Sequence, residues 1–319
     1  MTARLAIPAL LFTTLMVGGC ASRPAPAPAP PPSPGVRGPG VGVELAWWVV
    51  DDNPFDDRLA TGEVARTVGA DTRPIADVLA PYLNRAVPVS RESRERWKAC
   101  GLRLVCIPRA DIDQVRERLR ISGPIRQQWV GEAPRWIEAM QGPQWQGVQP
   151  VSTDDGGVTL SSGSLRLLLR CWVGPALSSV PAAPGLTSGS IPGAVQIELM
   201  PQHVPPSDRG DIAALLKPKP ALHDEGVLFP RLLLESSMST DDVLLIVPEK
   251  PETEWKASTP EEEPASAEGT FSSLGPPLPT TPSLGEVMMT DVATGGRRNT
   301  RVVLVVQPMP PATFNLLAR

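Results

Sequence analysis

Apolar residues of strand-forming type cluster in short segments near the start of this chain's folded part. Val43 to Val50 is rich in β-branched and aromatic residues, and it ends at the turn-forming residues Asp51 to Pro54. Leu102 to Ile107 is a second segment of this type, and Pro108 stops it. Such runs bounded by turn residues are typical of strands. We therefore predict a strand at each place.

A helix is predicted between these two strands. Ser90 precedes the charged run Arg91 to Ala99, and Gly101 follows it. Serine suits an N-cap because its hydroxyl accepts a hydrogen bond from a free backbone N–H, and glycine suits the left-handed residue that ends many helices. The predicted helix runs over 91–99.

A second helix is predicted after the second strand. Ile112, Val115 and Leu119 recur at spacings of three and four, which places them on one helical face with arginines opposite. Asp111 and Gln114 have the spacing of a capping box, in which two side chains satisfy backbone N–H groups at the helix start. We expect this helix to begin at Asp111.

The second half of the chain has the pattern of strands separated by long loops. The predicted strands are Gly157–Leu160 and Leu165–Val173 as one hairpin, Ala194–Leu199, Phe229–Ser236 and Val243–Val247 as a second hairpin, and Arg301–Val306. Helical periodicity is absent from this half, which favours an antiparallel sheet or sandwich.

The strand predicted at 165–173 has two unlike faces. Its odd-numbered residues are all apolar, so we assign that face, with Leu169 at its centre, to the core. The other face mixes Arg166 with Leu168 and Trp172. We expect Arg166 to be a surface residue.

These elements predict an α+β fold with two modules. A small α/β module covers 41–125, and an antiparallel β-rich sheet or sandwich with long loops covers 151–311. A tryptophan-rich connector at 126–150 joins them, and 312–319 is a short tail. The stretch 248–282 is long and polar, so we expect a mobile loop there.

Three tryptophans, Trp129, Trp136 and Trp145, mark the predicted connector. Flat indole faces suit the stacking of sugar rings, so one interpretation is a carbohydrate-binding surface. The other interpretation is that large aromatic side chains pack the joint between the two modules.

The first twenty residues point to export. The apolar run Leu5 to Val17 has thirteen residues broken by Pro8, fewer than the roughly 20 needed to span a bilayer. It ends in Val17-Gly18-Gly19-Cys20. This window resembles the signal of bacterial lipoproteins, which implies that a lipoprotein signal peptide at 1–19 is cleaved before Cys20, that the Cys20 thiol carries a diacylglycerol, and that the cysteine is acylated further, including by palmitate. The alternative is an ordinary secretory signal with a chance cysteine.

The lipoprotein resemblance also implies a location. In that family an aspartate after the lipidated cysteine retains the protein in the inner membrane, whereas here Ala21 and Ser22 follow. The expected place is the cell envelope, on the periplasmic face of the outer membrane, held there by the lipid. Residues 20–40 are rich in proline and alanine, which predicts a disordered spacer.

Three cysteines remain once Cys20 is acylated. Cys100 and Cys106 lie at opposite ends of a predicted strand and are too far apart to bond, but Cys171 could form a disulfide with either one. The alternative is that all three are small buried apolar residues.

Charge is unevenly distributed, although the formal net charge is only −4. The segment from Arg85 to Arg135 contains twelve basic and six acidic residues, and the segment from Glu249 to Glu268 contains seven glutamates and two lysines. A basic stretch suits nucleic acid in a cytoplasmic protein. Export removes that partner, so we expect no nucleic acid.

No catalytic or metal-binding motif stands out. The histidines are His203 and His223, and their surroundings predict solvated loop residues. Neither they nor the cysteines have zinc-ligand spacing. We predict no catalytic residue, no metal site and no cofactor, and a chain that is more typical of a non-enzyme.

Part of the second half resembles the closing portion of the secretin core, the pore-forming domain of bacterial export systems. The resemblance rests on the strand Ala194 to Pro201, the predicted hairpin 232–247, the short motif Pro282 to Gly285, and the strand Arg301 to Pro308. The glycine-rich gate and the preceding ring-building modules of secretins are missing. The resemblance implies that these strands follow the order found in secretins, or that the chain is a degenerate, secretin-like component of an export system.

The sequence therefore predicts a non-enzymatic, membrane-anchored envelope lipoprotein. We expect a structural or assembly subunit that presents a binding surface to other envelope proteins. The alternative is an exported hydrolase or carbohydrate-binding module whose site forms only in three dimensions.

The lipid anchor gives the first testable prediction. Cys20→Ser should leave the unprocessed precursor and release it from the detergent phase, because only a thiol accepts the diacylglycerol and two or more acyl chains are needed for stable attachment. Detergent phase partitioning of wild type and variant measures this. Cys171→Ser is the matched control and should partition like wild type. Equal partitioning of wild type and Cys20→Ser would contradict the lipoprotein interpretation.

Overall fold

Two antiparallel sheets pack face to face in the computed structural model of this chain. The structure describes residues 40–51, 74–176, 190–206, 221–249, 255, 281–290, 300–312 and 314–315. Contacts group Pro39–Arg319 into one unit, to which all these residues belong. Cys20, the predicted signal and spacer, and most of the predicted loop at 248–282 lie outside the described residues.

The elements follow one another as fourteen strands and four short helices in the described part. The strands are β1 Gly42–Asp51, β2 Leu102–Pro108, β3 Arg126–Gly131, β4 Ala133–Trp145, β5 Gln149–Thr153, β6 Gly156–Leu160, β7 Gly163–Pro175, β8 Ser190–Ile191, β9 Gly193–Val204, β10 Val227–Leu228, β11 Leu234–Met238, β12 Asp242–Pro248, β13 Thr300–Met309 and β14 Phe314–Asn315. The helices are α1 Ile75–Leu79, α2 Arg91–Ala99, α3 Ile112–Arg118 and α4 Leu284–Met288.

The first sheet has the strand order β2-β12-β13-β1-β3, and the second has β4-β7-β9 with both β10 and β11 beside β9. All named strand pairs are antiparallel, including the small pairs β5-β6 and β8-β14. This arrangement confirms the predicted α+β fold class with its antiparallel β-rich sheets.

The core lies in two layers because the first sheet is buried on both faces. One face packs against the second sheet, with Leu45 and Leu304 opposite Leu167 and Leu199. The other face packs against α1 and α3 in a separate apolar cluster that includes Trp48. A strand covered on both sides reads as a continuous apolar run. This explains the sequence Asp-Val-Leu-Leu-Ile-Val-Pro of β12.

Several predicted elements are confirmed at or near their predicted bounds. The strands at 43–50, 102–107, 165–173, 194–199, 243–247 and 301–306 all form, most of them one or more residues longer than predicted. Helix α2 covers 91–99, and the Ser93 N–H donates to the Ser90 hydroxyl at 3.1 Å. Gly101 ends this helix with φ +77°, and a Cβ there would lie 2.1 Å from the Ser283 hydroxyl oxygen.

The predicted capping box at Asp111 is wrong. A 3₁₀ turn at Arg109–Asp111 precedes α3, so the backbone of Asp111 is already helical and its side chain caps nothing. An N-cap residue normally has an extended backbone, which aims its side chain at the first turn. The helix itself forms, and Val115 and Leu119 are buried as the periodicity predicts.

The strands of the predicted modules 41–125 and 151–311 do not form separate sheets. β1 pairs with β13 over ten residues and β2 pairs with β12 over seven, so both predicted modules contribute to the first sheet. The predicted connector at 126–150 forms β3 and β4 instead. In the predicted tail, β14 pairs with β8.

Neither predicted hairpin forms. β7 is thirteen residues long and pairs with β4 and β9, which have thirteen and twelve residues, while the five-residue β6 pairs with β5. β11 pairs with β9 in the second sheet, whereas β12 lies in the first. A long apolar strand satisfies more of its backbone hydrogen-bonding groups when its partners have the same length. The partners of that length are distant in sequence here.

The predicted disulfide of Cys171 with Cys100 or Cys106 is wrong, since all three are buried free thiols. Cys100 closes α2, Cys106 lies in the first sheet and Cys171 in the second. The Asp154 N–H donates to Cys100 Sγ at 3.2 Å, and Cys171 Sγ donates to the Gly131 carbonyl at 3.3 Å. Burial raises the pKa of Cys100 to about 12 and that of Cys106 to about 11, which keeps both protonated at neutral pH.

One carboxylate is buried at the edge of this core. Glu249 follows β12 and is 1% exposed. Arg103 Nε donates to its Oε2 at 2.7 Å, and the Arg103 guanidinium lies 4.6 Å from the centre of the Trp255 ring. The other oxygen, Oε1, has no hydrogen-bond partner among the described residues. Burial raises the pKa of Glu249, and the neighbouring cations Arg103, Lys98 and Arg301 oppose that rise only in part.

The raised pKa of Glu249 predicts a pH-dependent stability. Because the folded state holds this proton more tightly than the unfolded state, the free energy of unfolding should fall as pH rises from about 4, the ordinary pKa of glutamate. Glu249→Gln cannot ionise, so wild type should lose stability relative to this variant between acidic and neutral pH. Urea unfolding at a series of pH values measures the difference.

The exposed Glu235 provides the control for this prediction. Glu235→Gln should change the free energy of unfolding by less than about 0.5 kcal/mol at every pH of the series, because substitutions at exposed positions have small effects on stability. A constant difference for Glu249→Gln as well would contradict the predicted dependence.

Candidate functional site

A groove lies beside β4 and is lined by residues of the first sheet, of β4 and of α4. It consists of two cavities of about 550 and 330 Å³, and Pro143 and Thr290 line both. Ligand sites in proteins commonly have volumes of several hundred Å³. This groove is the candidate functional site.

The floor of the larger cavity comes from the first sheet. Trp47 and Val49 of β1 and Val302 of β13 line it, because the alternation along β1 turns odd-numbered residues toward the second sheet. β1 and β13 are paired here, with Val49 opposite Val302. The floor is therefore a continuation of the apolar layer between the two sheets.

The wall of the groove is β4, and α4 lies against it. Gly142 of β4 touches α4 so closely that a Cβ would lie 2.5 Å from the Met288 carbonyl oxygen. α4 is held by a capping box in which Ser283 and Glu286 bond each other's backbone N–H groups. Glycine at 142 is what allows the helix to reach the strand.

Two indole rings line the groove, one in each cavity. Trp47 Nε1 donates to the Ala139 carbonyl of β4 at 3.1 Å. Trp145 Nε1 donates to the Ser161 carbonyl at 3.0 Å, and its ring stacks on His203 with 5.6 Å between the ring centres. Because each N–H is bonded to the backbone, both rings are fixed in orientation and offer mainly apolar ring surface.

Polar side chains form the rim. Arg126 and Gln128 of β3 and Glu138 and Gln141 of β4 line the larger cavity and are exposed. An apolar floor with a solvated polar rim is the usual anatomy of a surface that binds another molecule.

A buried arginine supports the wall from the opposite face of the second sheet. Arg166 of β7 forms an ion pair with Glu138 at 3.5 Å and another with Glu225 at 2.9 Å. It also donates to Gln202 Oε1 at 2.8 Å and to the Leu222 carbonyl at 2.6 Å. The side chain of Arg166 is 5% exposed, so its predicted surface position is wrong. The segment 222–225 supplies the partners that make its burial possible.

The predicted surroundings of the histidines are partly wrong. His203 lies in β9, is buried, and places Nε2 3.1 Å from the Ser161 carbonyl. His223 lies in an exposed turn, 3.2 Å from Asp224, as expected for a solvated residue. Neither histidine lines the groove, whose lining contains the carboxylates Glu138 and Glu286. In the described part, no group of three or more metal-ligating side chains is close enough to hold a metal ion.

The three tryptophans of the predicted connector do not share one surface. Trp136 and Trp145 lie near opposite ends of β4, and Trp129 lies on β3 of the other sheet with 38% of its surface exposed. Trp136 packs against the Arg170 guanidinium, 4.9 Å from the ring centre. Of the three, Trp145 lines the groove. The sequence marks these residues as unusual but does not indicate which of them meet.

No family model matches this chain, and neither does any curated protein or solved structure compared with it. Among the described residues, no helix has the length and apolar character required to cross a membrane.

The burial of Arg166 gives a prediction about stability. Arg166→Ala should lower the free energy of unfolding by about 2 to 4 kcal/mol, because it breaks a buried network and removes the guanidinium that Gln202 and Glu225 bond. Urea unfolding measures the loss. Arg135→Ala, at an exposed arginine of β4, is the matched control and should change stability by less than about 0.5 kcal/mol. Equal urea midpoints for the two variants would contradict the prediction that this network stabilises the fold.

Proposed function

We propose that this chain is a lipid-anchored envelope protein that binds another envelope protein in the groove beside β4. Its lipidated Cys20 holds it on the periplasmic face of the outer membrane, and the folded body acts as a structural or assembly subunit. The lipoprotein-like signal supports the anchor. The groove supports the binding role.

The observation that carries the binding role is the form of the groove. It joins two cavities beside β4, the N–H groups of its two indoles are bonded to backbone carbonyls, and its rim carries exposed arginine, glutamate and amide side chains. Tryptophan and arginine are the residue types that contribute most to protein–protein binding energy. Two adjoining cavities of this composition suit a polypeptide better than a compact small molecule.

The same groove gives weaker support to a hydrolase. Hydrolysis without a metal needs a nucleophile or activated water together with an acid or base in one site. His203 and His223 lie outside the groove lining, and Glu286 is engaged by the backbone and side chain of Ser283. Binding requires no such constellation.

Photocrosslinking in intact envelopes tests the proposal. A photoreactive amino acid at Gln128 or Gln141, both exposed on the groove rim, should yield one reproducible adduct with another protein. The same amino acid at the exposed Glu235 of β11 is the control, because β11 lies beside β9 rather than in the groove lining. Trp145→Leu should reduce the adduct from the groove positions. The proposal fails if Glu235 gives the same adduct, or if neither groove position yields any protein adduct.

A further inference from the structure

The groove wall is unsuited to strand addition. Adding a strand requires an edge with a regular row of free backbone N–H and C=O groups. In β4 the Ala139 carbonyl already accepts from Trp47, Pro143 has no N–H, and Gly142 is pressed against α4. The register between β4 and β7 also shifts at three places. An occupant of the groove must therefore bind by its side chains and shape.

What the groove offers instead is a series of apolar rings. Trp47 lines one cavity, Trp145 lines the other, and Pro143 lies between them in both. Rigid aromatic surfaces of this kind receive proline rings in grooves that recognise the polyproline II helix, which needs no hydrogen-bond ladder because its backbone has no internal hydrogen bonds.

A polyproline II helix of two turns is comparable in length to the stretch of β4 that separates the attachment points of the two indoles. Trp47 is bonded to Ala139, six residues before Trp145 along β4, which corresponds to a distance of up to about 20 Å. A polyproline II helix rises about 3.1 Å per residue with three residues per turn, so two turns span about 19 Å. Residues at positions i, i+3 and i+6 of such a helix lie on one face, so its prolines can contact the ring surfaces of the groove.

Each end of the groove carries one charged side chain that has no ion-pair partner among the described residues, and these two side chains have opposite charges. At the Trp47 end, Glu138 shares Arg166 with Glu225, and Arg126 forms no ion pair with the described residues. At the Trp145 end, Glu286 is hydrogen-bonded to Ser283 and likewise has no cationic partner in the described part. A complementary ligand carries a carboxylate at the first end and a cation at the second.

We propose that the groove binds a proline-rich segment of the partner protein in the polyproline II conformation, with prolines three residues apart and an acidic and a basic residue flanking them. This inference rests on the proposed function, since it names the chemistry of the protein segment that the groove receives.

Calorimetric titration of the full chain in detergent tests this inference with two synthetic peptides of equal length and charge. One is polyproline flanked by aspartate and lysine, and the other replaces the prolines by alternating valine and threonine. The polyproline peptide should bind and the strand-forming peptide should not. Tighter binding of the valine–threonine peptide would overturn the inference.

Variants locate the binding. Trp145→Leu should weaken binding of the polyproline peptide by about tenfold or more, since it removes a ring that the prolines contact. Trp172→Leu, which changes a tryptophan of β7 outside the groove lining, should bind like wild type. Arg126→Glu changes an exposed residue and should weaken binding of the same peptide by about tenfold. A peptide with lysine at both ends should restore binding to this variant.

The outcomes separate this inference from the proposed function. If the polyproline peptide fails to bind, or binds equally well to wild type, Trp145→Leu and Arg126→Glu, the inference is wrong. Should crosslinks from Gln128 and Gln141 still capture a partner in that case, the groove remains a protein-binding site for a segment of different chemistry.

Discussion

The antiparallel ladder between β1 and β13 is the interaction on which the rest of this structure depends. It joins the first described strand to the last long strand through ten residue pairs, from Gly42 with Met309 to Asp51 with Thr300. Both strands turn apolar residues to both sides, so the ladder supports the layer between the sheets and the layer under the helices. The groove floor is made of the same two strands. Such long-range pairing has a high cost in loop-closure entropy, which burial on both faces offsets.

Local features of this fold could be predicted from the sequence because they depend on neighbouring residues. Ser90 and Gly101 mark the ends of α2 by the chemistry of caps, and prolines close the strands that they follow. Periodicity likewise identified Val115 and Leu119 as a buried face. In each case the physical cause lies within a few positions of the residue concerned.

Strand partners could not be predicted in the same way. The pattern of β7 shows that it is apolar, but nothing in it specifies β4 and β9 over the adjacent β6. Proximity in sequence favoured the two hairpins, and the lengths of the strands decided against them. The groove could not be predicted for the same reason, since it forms only where β1, β4, β13 and α4 come together. Arg166 looked like a surface residue because its partners at 222–225 lie far along the chain. The presence of Leu168 and Trp172 on the same face was a signal that this face is covered.

The ladder between β1 and β13 also determines how the body would respond to a mechanical load. If the chain is tethered through its N-terminal side and held by a partner in the groove, tension enters the fold at Gly42 and runs along β1. That strand lies between β13 and β3, so a pull along its axis loads its rows of hydrogen bonds in shear, all at once instead of one after another. Forced unfolding is governed by the rate at which such a barrier is crossed, not by the equilibrium stability alone. An interior strand at the tether thus suits a body that must stay folded while its two attachments pull apart.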